Sequence, residues 1–522
     1  MNETHSSLQI DTLLALLLVA SATAISVKWV RMPYSVALVI AGLIIGVSGI
    51  MPPVAMTPDL ILVIFLPALL FEASWNMDIR ALRRDWLAIG TLATVGVVVC
   101  MSAVAAILHF VGGLDIPTSM LFGAMVSATD PVSVIALFRK MGIDKRLTML
   151  LEGESVFNDG TAVVLFKLVL AAVLSGGSAS IAAVSGGFVF AVVGGSLIGA
   201  LIGYFASRIT SAFEDHLLEI TLTTVAAYGS YLVADHLHVS PVMAVVGAGI
   251  VVGNYGSRTG MSAVTRLAVN SFWEYAAFLV NSLLFLLIGL QVKLELLIKY
   301  GNLIGFGVLA VVVSRLLVVY GLCPFVSTRG LPIASSWRHL LFWGGLRGAL
   351  CLALALSLPL DFPLREAVIN MTFGVVLFTL LVPGLTMEPL VELLSMLPAD
   401  RDLLKYQELR SQVLADKVGQ DTLELLYEAG SISGKAYESL KQEIAHHLEA
   451  AEAQLLSAKV ACAPVEELDS KQARIRLLEA RKDFLSRFSR QGMLAEESLQ
   501  KFKVLIDLEL EQLAEPGQAG KI

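Results

Sequence analysis

Long apolar runs follow one another through the first 400 residues of this 522-residue chain. A helix needs about 20 mostly apolar residues to cross the hydrocarbon core of a bilayer. Because lipid offers no hydrogen bonds to an exposed backbone, repeated runs of this length predict an all-α membrane protein with about 13 transmembrane helices. The ninth run is short, and the fifth and twelfth are interrupted. The runs are 8–28, 33–51, 57–76, 85–110, 118–139, 148–174, 180–207, 216–235, 240–254, 268–291, 301–325, 338–358 and 366–396.

The charge distribution predicts two domains. Only 16% of the residues are charged and 56% are hydrophobic, whereas soluble proteins carry about 25% charged residues. Lys, Arg, Asp and Glu number 43 in residues 1–400 and 38 in residues 401–522. We therefore predict a membrane domain over 1–400 and a helical cytoplasmic tail over 401–522, with helix breaks at Gly430 and Gly434 and a regulatory or dimer-stabilising role.

Basic residues between the runs predict the orientation in the membrane. With the N-terminus outside, the cytoplasmic loops carry 14 Lys and Arg residues and the outer loops carry three. This asymmetry follows the positive-inside rule and places the tail in the cytoplasm. The first run has no Lys or Arg before it and no small-residue cleavage site, so we expect a spanning helix rather than a removable signal.

Cysteine spacing and net charge argue against several protein classes. Cys100, Cys323, Cys351 and Cys462 form no recognisable pairing or metal-binding spacing, so we expect neither disulfides nor a resident metal or cofactor. The net charge of −7 does not suggest a nucleic-acid partner.

Several ionisable residues fall inside the apolar runs. Each costs at least ~2.5–3.5 kcal/mol at membrane depth, so each needs an explanation. Such residues mark ion pathways or buried ion pairs more often than lipid-facing positions. They are Asp130, Glu154, Asp159, Lys167, Glu274, Arg315 and Arg347, with Glu72 as an eighth candidate.

The segment SATDPVSV, residues 127–134, predicts a broken helix. Pro131 lacks an N–H group and clashes one turn back, and it biases Asp130 away from helical angles. The freed carbonyl groups and the hydroxyls of Ser127, Thr129 and Ser133 place oxygen ligands beside a carboxylate, as in the ion sites of secondary transporters. A simple proline kink whose broken end is capped by Asp130 explains the same residues.

Asp130 and Asp159 are placed at equal depth by their spacing. They are 29 residues apart, and their midpoint lies in a turn that contains Arg139, Lys140, Lys145 and Arg146. If both arms are helical, each aspartate lies some ~21 Å from the turn, near the middle of the bilayer. Two antiparallel helices would therefore bring the two aspartates to the same depth.

The residues GESVFNDG, 153–160, divide between two faces of the second of these helices. Residues four apart share a face, so Ser155 and Asp159 offer a hydroxyl and a carboxylate to an ion, while Glu154 and Asn158 face the scaffold. A buried glutamate needs a cation, and spacing alone leaves Arg315 and Arg347 open as its partner.

Lys167, two turns beyond Asp159, is either a further partner of the buried acids or a lysine that extends towards the outer interface.

The segment GGLRGAL, residues 344–350, predicts a second interruption. Gly344, Gly345 and Gly348 permit unwinding or close helix approach around Arg347, which can neutralise exposed carbonyl groups at helix ends. A tight packing seam is the alternative. The two interrupted runs are the fifth and the twelfth, the relation expected for two inverted six-helix repeats joined by a seventh helix.

These motifs together resemble the monovalent cation/proton antiporter-1 family, the NhaP-type sodium/proton exchangers of bacteria and archaea. The resemblance covers the whole membrane domain and includes LPALLFEASWN (66–76), SATDPVSV, LEGESVFNDGTAVV (151–164), NSLLFLLIG (281–289), VSRLLVV (313–319) and GGLRGAL. It implies thirteen helices, with discontinuous helices 5 and 12 that cross mid-membrane, a homodimer, and a location in the plasma (bacterial inner) membrane.

The resemblance also implies residue roles at the ion site. Asp159 would be the carboxylate that carries the proton and the cation. Asp130, Ser155 and the backbone of Thr129 would complete the cation site.

A second set of roles belongs to the surrounding scaffold. Asn158 stands where electrogenic relatives carry a second aspartate, so the chain resembles the electroneutral branch. Glu154 would pair with Arg315, and Arg347 would stabilise the crossing.

The predicted activity is exchange of one monovalent cation for one proton. A carboxylate holds either ion, so the two would compete for Asp159. Na⁺ is the expected cation; a K⁺(Na⁺)/H⁺ antiporter with the same site is an alternative, because Ser and Asp oxygens also suit Li⁺ and K⁺. An intramembrane aspartyl protease is a weaker alternative, because its GxGD motif is absent, and a channel would differ in its flux kinetics.

Overall fold

The structure is a computed structural model that describes residues 2–27, 29, 32–49, 56–175, 181–210, 215–257, 260–326, 333–394, 396 and 401–461, together with isolated positions from 474 onward. Within these ranges the chain forms 18 α-helices and no β-strand. The helices are α1 (Asn2–Ser26), α2 (Tyr34–Ser48), α3 (Leu66–Asn76), α4 (Ile79–Phe110), α5 (Ile116–Met125), α6 (Val132–Met141), α7 (Lys145–Leu174), α8 (Ile181–Thr210), α9 (His216–His236), α10 (Pro241–Val251), α11 (Ala263–Gln291), α12 (Leu294–Lys299), α13 (Gly301–Leu322), α14 (Ser335–Trp343), α15 (Ala349–Leu356), α16 (Arg365–Leu393), α17 (Arg401–Glu428) and α18 (Gly434–Ala461).

All thirteen predicted apolar runs contain helix. The fifth run divides into α5 and α6 and the twelfth into α14 and α15, as their interruptions predict. Two π-helical stretches, Leu60–Phe65 before α3 and Val252–Gly256 after α10, extend the third and ninth runs. Among the described residues, seven helices are long and apolar enough to cross a membrane, and several shorter apolar helices accompany them.

The chain divides into two compact units, Met1–Met396 and Leu397–Ile522. In the second unit α17 and α18 form a hairpin, and the break predicted at Gly430 and Gly434 separates them. Gly430 takes a positive φ of 67°, which only glycine adopts without steric cost, and so permits the sharp turn. The Tyr427 and Tyr437 rings stack across it with centroids 4.3 Å apart.

α4 begins six residues earlier than its predicted run, because a polar contact holds its first turns. Asp85 is fully buried, and α4 leaves helical geometry there, with φ −108° and ψ 15°. Its carboxylate accepts hydrogen bonds from Arg146 at 2.8 and 3.0 Å and from Arg84 at 3.0 Å. Since Arg146 lies in the first turn of α7, this ion pair fixes the start of α7 against α4.

Cysteines occur as free thiols in the described part of the chain. Cys100, Cys323 and Cys351 are unpaired and buried. Cys462 lies outside the described residues.

Candidate functional site

Two helix interruptions meet at the centre of the first unit. The first occupies residues 126–131 between α5 and α6, where Pro131 cannot donate a backbone hydrogen bond. The second occupies residues 344–348 between α14 and α15, where Gly348 is extended. The backbone N–H of Asp130 donates to the Leu346 carbonyl at 2.9 Å, so the two interruptions hydrogen-bond directly to each other.

Arg347 neutralises the freed carbonyl groups of the first interruption. Its Nη1 donates to the carbonyls of Ala128 at 3.2 Å and Ser127 at 3.4 Å, just beyond the C-terminal end of α5. The side chain is 1% exposed, and its backbone N–H donates to Thr379 Oγ1 at 3.1 Å. A buried guanidinium at a helix C-terminus complements the partial negative charge of the exposed carbonyls, so Arg347 stabilises the meeting of the two interruptions.

Asp130 lies at the N-terminal ends of two short helices. Its Oδ1 accepts from the backbone N–H of Val132 at 3.3 Å, in the first turn of α6. Its carboxylate also lies directly against Gly348, the residue before α15, where a Cβ would overlap the carboxylate atoms. Both helix N-termini place partial positive charge near this carboxylate.

Thr129 joins the first interruption to α7. Ser155 Oγ donates to the Thr129 carbonyl at 2.6 Å. The side-chain amide of Asn158 donates to Thr129 Oγ1 at 2.6 Å, and its carbonyl oxygen accepts from the Thr129 N–H at 3.2 Å. The hydroxyl oxygen of Ser155 and the carbonyl oxygen of Thr129 keep lone pairs that can bind a cation, whereas both ends of the Asn158 amide are used.

The four residues predicted to form the cation site, Asp159, Asp130, Ser155 and Thr129, line one cavity of about 380 Å³. Asp159 is partly exposed to it and makes no side-chain hydrogen bond or ion pair with the residues that the structure describes. Two carboxylates, a hydroxyl and a backbone carbonyl supply oxygen ligands only, the set that suits a hard cation.

Glu154 forms an ion pair with Arg315 on the side of α7 away from this cavity. Arg315 Nη1 contacts Glu154 Oε1, and Nη2 lies 3.0 Å from Oε2. The glutamate is 2% exposed and the arginine 6%. Arg315 also donates to the Leu341 carbonyl through Nε at 3.3 Å and Nη2 at 2.8 Å, so it ties α7 to α13 and α14 together.

The cavity continues along α6 to a group of charged residues at its mouth. Arg139 Nη2 lies 3.3 Å from Glu152 Oε1, and Glu72 and Glu274 line the same space. The sequence singled out Glu72 and Glu274 by depth, but Glu152 and the role of Arg139 at the mouth were missed. Glu152 precedes Ser155 by three residues and Asp159 by seven. The helical period therefore places it on the same face of α7 as these two residues, and this spacing could have identified it from the sequence.

Lys167 contacts neither predicted ion-site carboxylate. Its Nζ lies 3.4 Å from Asp235 Oδ1, and both side chains are more than half exposed. Of the two interpretations left open by the sequence, the exposed lysine is the one observed.

Comparison with known proteins places most of the first unit within one family. The family model for the transmembrane sodium/hydrogen exchanger matches residues 14–393. The low-affinity Na⁺/H⁺ antiporter NhaS1 of Synechocystis sp. is 43% identical over 390 residues, which cover 74% of each chain. The Na⁺/H⁺ antiporter ApNhaP of Aphanothece halophytica is 44% identical over 393 residues, which cover 75% of each chain.

A solved structure supports the fold independently. The sodium proton antiporter MjNhaP1 from Methanocaldococcus jannaschii superposes with a TM-score of 0.62 and covers 74% of this chain and 98% of its own. At 22% identity this likeness concerns the fold alone.

Proposed function

Because the chain belongs to the sodium/hydrogen exchanger family, and is thus a transporter rather than an enzyme, we propose that it exchanges a monovalent cation, with Na⁺ expected, for a proton. The observation that carries the proposal is the set of oxygen-bearing groups on one cavity at the meeting of two helix interruptions. The membrane-crossing helices that surround it supply the barrier that an exchanger needs.

The cation would bind between Asp159 and Asp130, with Ser155 Oγ and the Thr129 carbonyl as further ligands. Asp159 has no partner among the described residues, so its carboxylate is available for either a cation or a proton. Occupation by one ion excludes the other, and if only the neutralised site crosses between the two sides, the two fluxes are coupled. This arrangement would be held in place by scaffold residues that do not bind the ion, namely Asn158, Glu154, Arg315 and Arg347.

We extend the proposal to the architecture of the chain. The membrane domain, residues 1–400, would cross the bilayer thirteen times as two inverted six-helix repeats and would form a homodimer in the plasma (bacterial inner) membrane. The N-terminus would lie outside, and the tail, residues 401–522, would lie in the cytoplasm with a regulatory or dimer-stabilising role. The basic residues of the loops support this orientation.

The test of exchange is a cation series in proteoliposomes that contain a pH-sensitive dye. Addition of Na⁺ to vesicles with an acidic lumen is expected to release protons from the lumen at a rate that saturates with Na⁺ concentration, and Li⁺ and K⁺ are compared at the same concentrations. Dye responses no larger than those of protein-free vesicles for all three cations would refute the proposal.

The exchange is expected to be electroneutral, one cation for one proton. Asn158 carries no charge and both ends of its amide bind Thr129. Asp130, which accepts a hydrogen bond from the Val132 N–H, would stay charged throughout, so Asp159 would be the one group that changes charge state in the proposed cycle. The dye response should be the same at negative, zero and positive membrane potential, set with a permeant anion. Net movement of one charge would shift the exchange equilibrium by about 2.3 kcal/mol per 100 mV, so a dependence on potential of this size would contradict the 1:1 ratio.

Gly348→Ala is expected to reduce exchange by about 10²-fold, because the added Cβ would displace the Asp130 carboxylate and separate the two interruptions. The matched control is Gly90→Ala in α4, where a Cβ meets no atom within 4 Å. Both variants are compared by dye response and by the yield of monodisperse protein in detergent. Equal exchange by the two variants would show that the close approach at Gly348 is unimportant.

A further inference from the structure

The first turns of α4 carry three exposed arginines. Arg80 is followed by Arg83 and Arg84 at spacings of three and four residues, so the three share one face of these turns. Arg84 is 43% exposed and contacts Asp85. The guanidinium groups of Arg80 and Arg83 make no ion pair or hydrogen bond with the residues that the structure describes. The proposed exchange cycle uses none of these arginines.

The nearby carboxylates do not cancel the charge of the arginines. Asp85 is fully buried, and Arg146 of α7 compensates it, with Nε 3.0 Å from Oδ1 and 3.2 Å from Oδ2. Asp78 is the other acidic residue of the segment 78–85, and its Oδ1 accepts from the Arg80 backbone N–H at 2.8 Å. One carboxylate therefore offsets three arginines, which leaves two positive charges on this surface.

The surface of α4 changes from basic to apolar along the helix. α4 leaves helical geometry at Asp85, so its first turns are set apart from the remainder. Beyond this point the exposed side chains include Leu87, Val95 and Val98. Since α4 is long and apolar enough to cross a membrane, these exposed apolar side chains would face lipid. The arginines then lie at the level of the lipid headgroups, at the end of a lipid-facing surface.

Trp86 lies at the boundary between the basic and the apolar part of α4. Its side chain is 62% exposed, and Ile79 is exposed as well. Tryptophan is enriched at membrane–water interfaces, because one part of its ring is apolar and its N–H group is polar. Arginines that only fix the orientation of a helix need no exposed aromatic neighbour. The combination of arginines and tryptophan therefore indicates a binding surface.

We propose that this surface, the α4 arginine patch (Arg80, Arg83, Arg84 and Trp86), binds the headgroup of an anionic phospholipid in the adjoining leaflet. In the proposed orientation this is the cytoplasmic leaflet. Arg80 and Arg83 donate paired hydrogen bonds to the phosphate oxygens, as the planar guanidinium group permits. Arg84 adds positive charge while it keeps its contact with Asp85, and Trp86 packs against the glycerol and the upper acyl chains. The proposal requires α4 to cross the membrane, and it does not depend on cation exchange.

Quenching of Trp86 fluorescence by brominated lipid tests the proposal. The protein is reconstituted in phosphatidylcholine vesicles that contain increasing fractions of phosphatidylglycerol brominated near the headgroup end of its acyl chains. Because the chain contains six tryptophans, the signal of Trp86 is taken as the difference between each protein and its Trp86→Phe version. Half-maximal quenching should need about 25-fold less brominated phosphatidylglycerol than equally brominated phosphatidylcholine, since each of two arginines near a membrane surface contributes about fivefold.

Replacement of the arginines should remove this selectivity in steps. Arg83→Gln should lower it to about fivefold, and Arg80→Gln/Arg83→Gln should make the two brominated lipids equivalent. Arg80→Lys/Arg83→Lys should keep at least about fivefold selectivity, because the charges remain and only the paired hydrogen bonds are lost. Arg266→Gln is the matched control: Arg266 is an exposed arginine in the first turn of α11, and its replacement should leave the selectivity unchanged.

Equal quenching of wild-type Trp86 by the two brominated lipids would overturn the proposal. Full selectivity in Arg80→Gln/Arg83→Gln protein, or an equal loss in Arg266→Gln protein, would also overturn it. The yield of monodisperse protein in detergent checks the folding of each variant. If the double glutamine variant does not fold, the comparison of wild-type, Arg83→Gln and Arg266→Gln protein decides. Dye measurements in the same vesicles report on cation exchange separately, so failure of one proposal leaves the other standing.

Discussion

Asp159→Asn is expected to reduce cation/proton exchange to the level of protein-free vesicles. Among the four groups that line the cation site, Asp159 alone makes no hydrogen bond or ion pair within the described structure, so its carboxylate is free to bind an ion. Asparagine has nearly the same shape but neither takes up a proton nor balances the charge of a cation. Both halves of the exchange should therefore stop together, as measured by the pH dye and by ²²Na⁺ uptake.

The fold should survive this substitution, because no described contact depends on the Asp159 carboxylate. Asp361→Asn, on an exposed loop, is the matched control and should exchange at the wild-type rate. Asp130→Asn should retain its contact with Val132, because an amide oxygen accepts the same hydrogen bond. A normal rate of exchange by Asp159→Asn protein would assign the ion-carrying role to another residue.

The helix interruptions were predictable because they have local causes. Pro131 removes a hydrogen bond wherever it stands in a helix, and Gly344, Gly345 and Gly348 leave Arg347 without a helical preference. The equal depth of Asp130 and Asp159 followed from the helical rise and from the basic turn between them. Helix breaks and relative depth can therefore be predicted from the residues of one helical hairpin alone.

Contacts between helices that are distant in the sequence could not be predicted from residue spacing. Spacing along α7 places Glu154 opposite the ion site, but it does not say which neighbouring helix lies there. Arg315 and Arg347 both lie at membrane depth, and the packing of α13 against α4 and α14 decides that Arg315 contacts Glu154 while Arg347 contacts the carbonyls of Ala128 and Ser127. The buried contact of Asp85 with Arg146 was missed for the same reason.

The cavities illustrate a further limit of sequence reasoning. Glu152 and Val163 belong to the α7 stripe that was recognised at Ser155 and Asp159, yet a helical period marks a face and does not reveal empty space beside it. Beside Val163, α8 and the start of α10 leave a cavity of about 280 Å³ along this stripe. Only the packed structure distinguishes a lined cavity from an ordinary helix interface.

Arg315→Met is expected to destabilise the first unit by about 3–5 kcal/mol, because it leaves the Glu154 carboxylate buried without a counter-charge. The substitution also removes both hydrogen bonds to the Leu341 carbonyl at the end of α14. The temperature at which half of the protein remains monodisperse in detergent should fall markedly. Arg315→Lys should recover only part of the loss, since a single ammonium cannot reproduce the bidentate contact together with the bonds to Leu341.

Lys299→Met provides the matched control, because it breaks an ion pair with Glu366 at 3.5 Å whose side chains are 59% and 60% exposed. Exposed ion pairs contribute about 0–1 kcal/mol to stability. The temperature at which half of the Lys299→Met protein remains monodisperse should therefore barely change. The double variant Glu154→Gln/Arg315→Met should be more stable than Arg315→Met, because the neutral amide removes the uncompensated charge. If Arg315→Met and Lys299→Met lose the same stability, the buried pair does not hold α7 against α13 and α14.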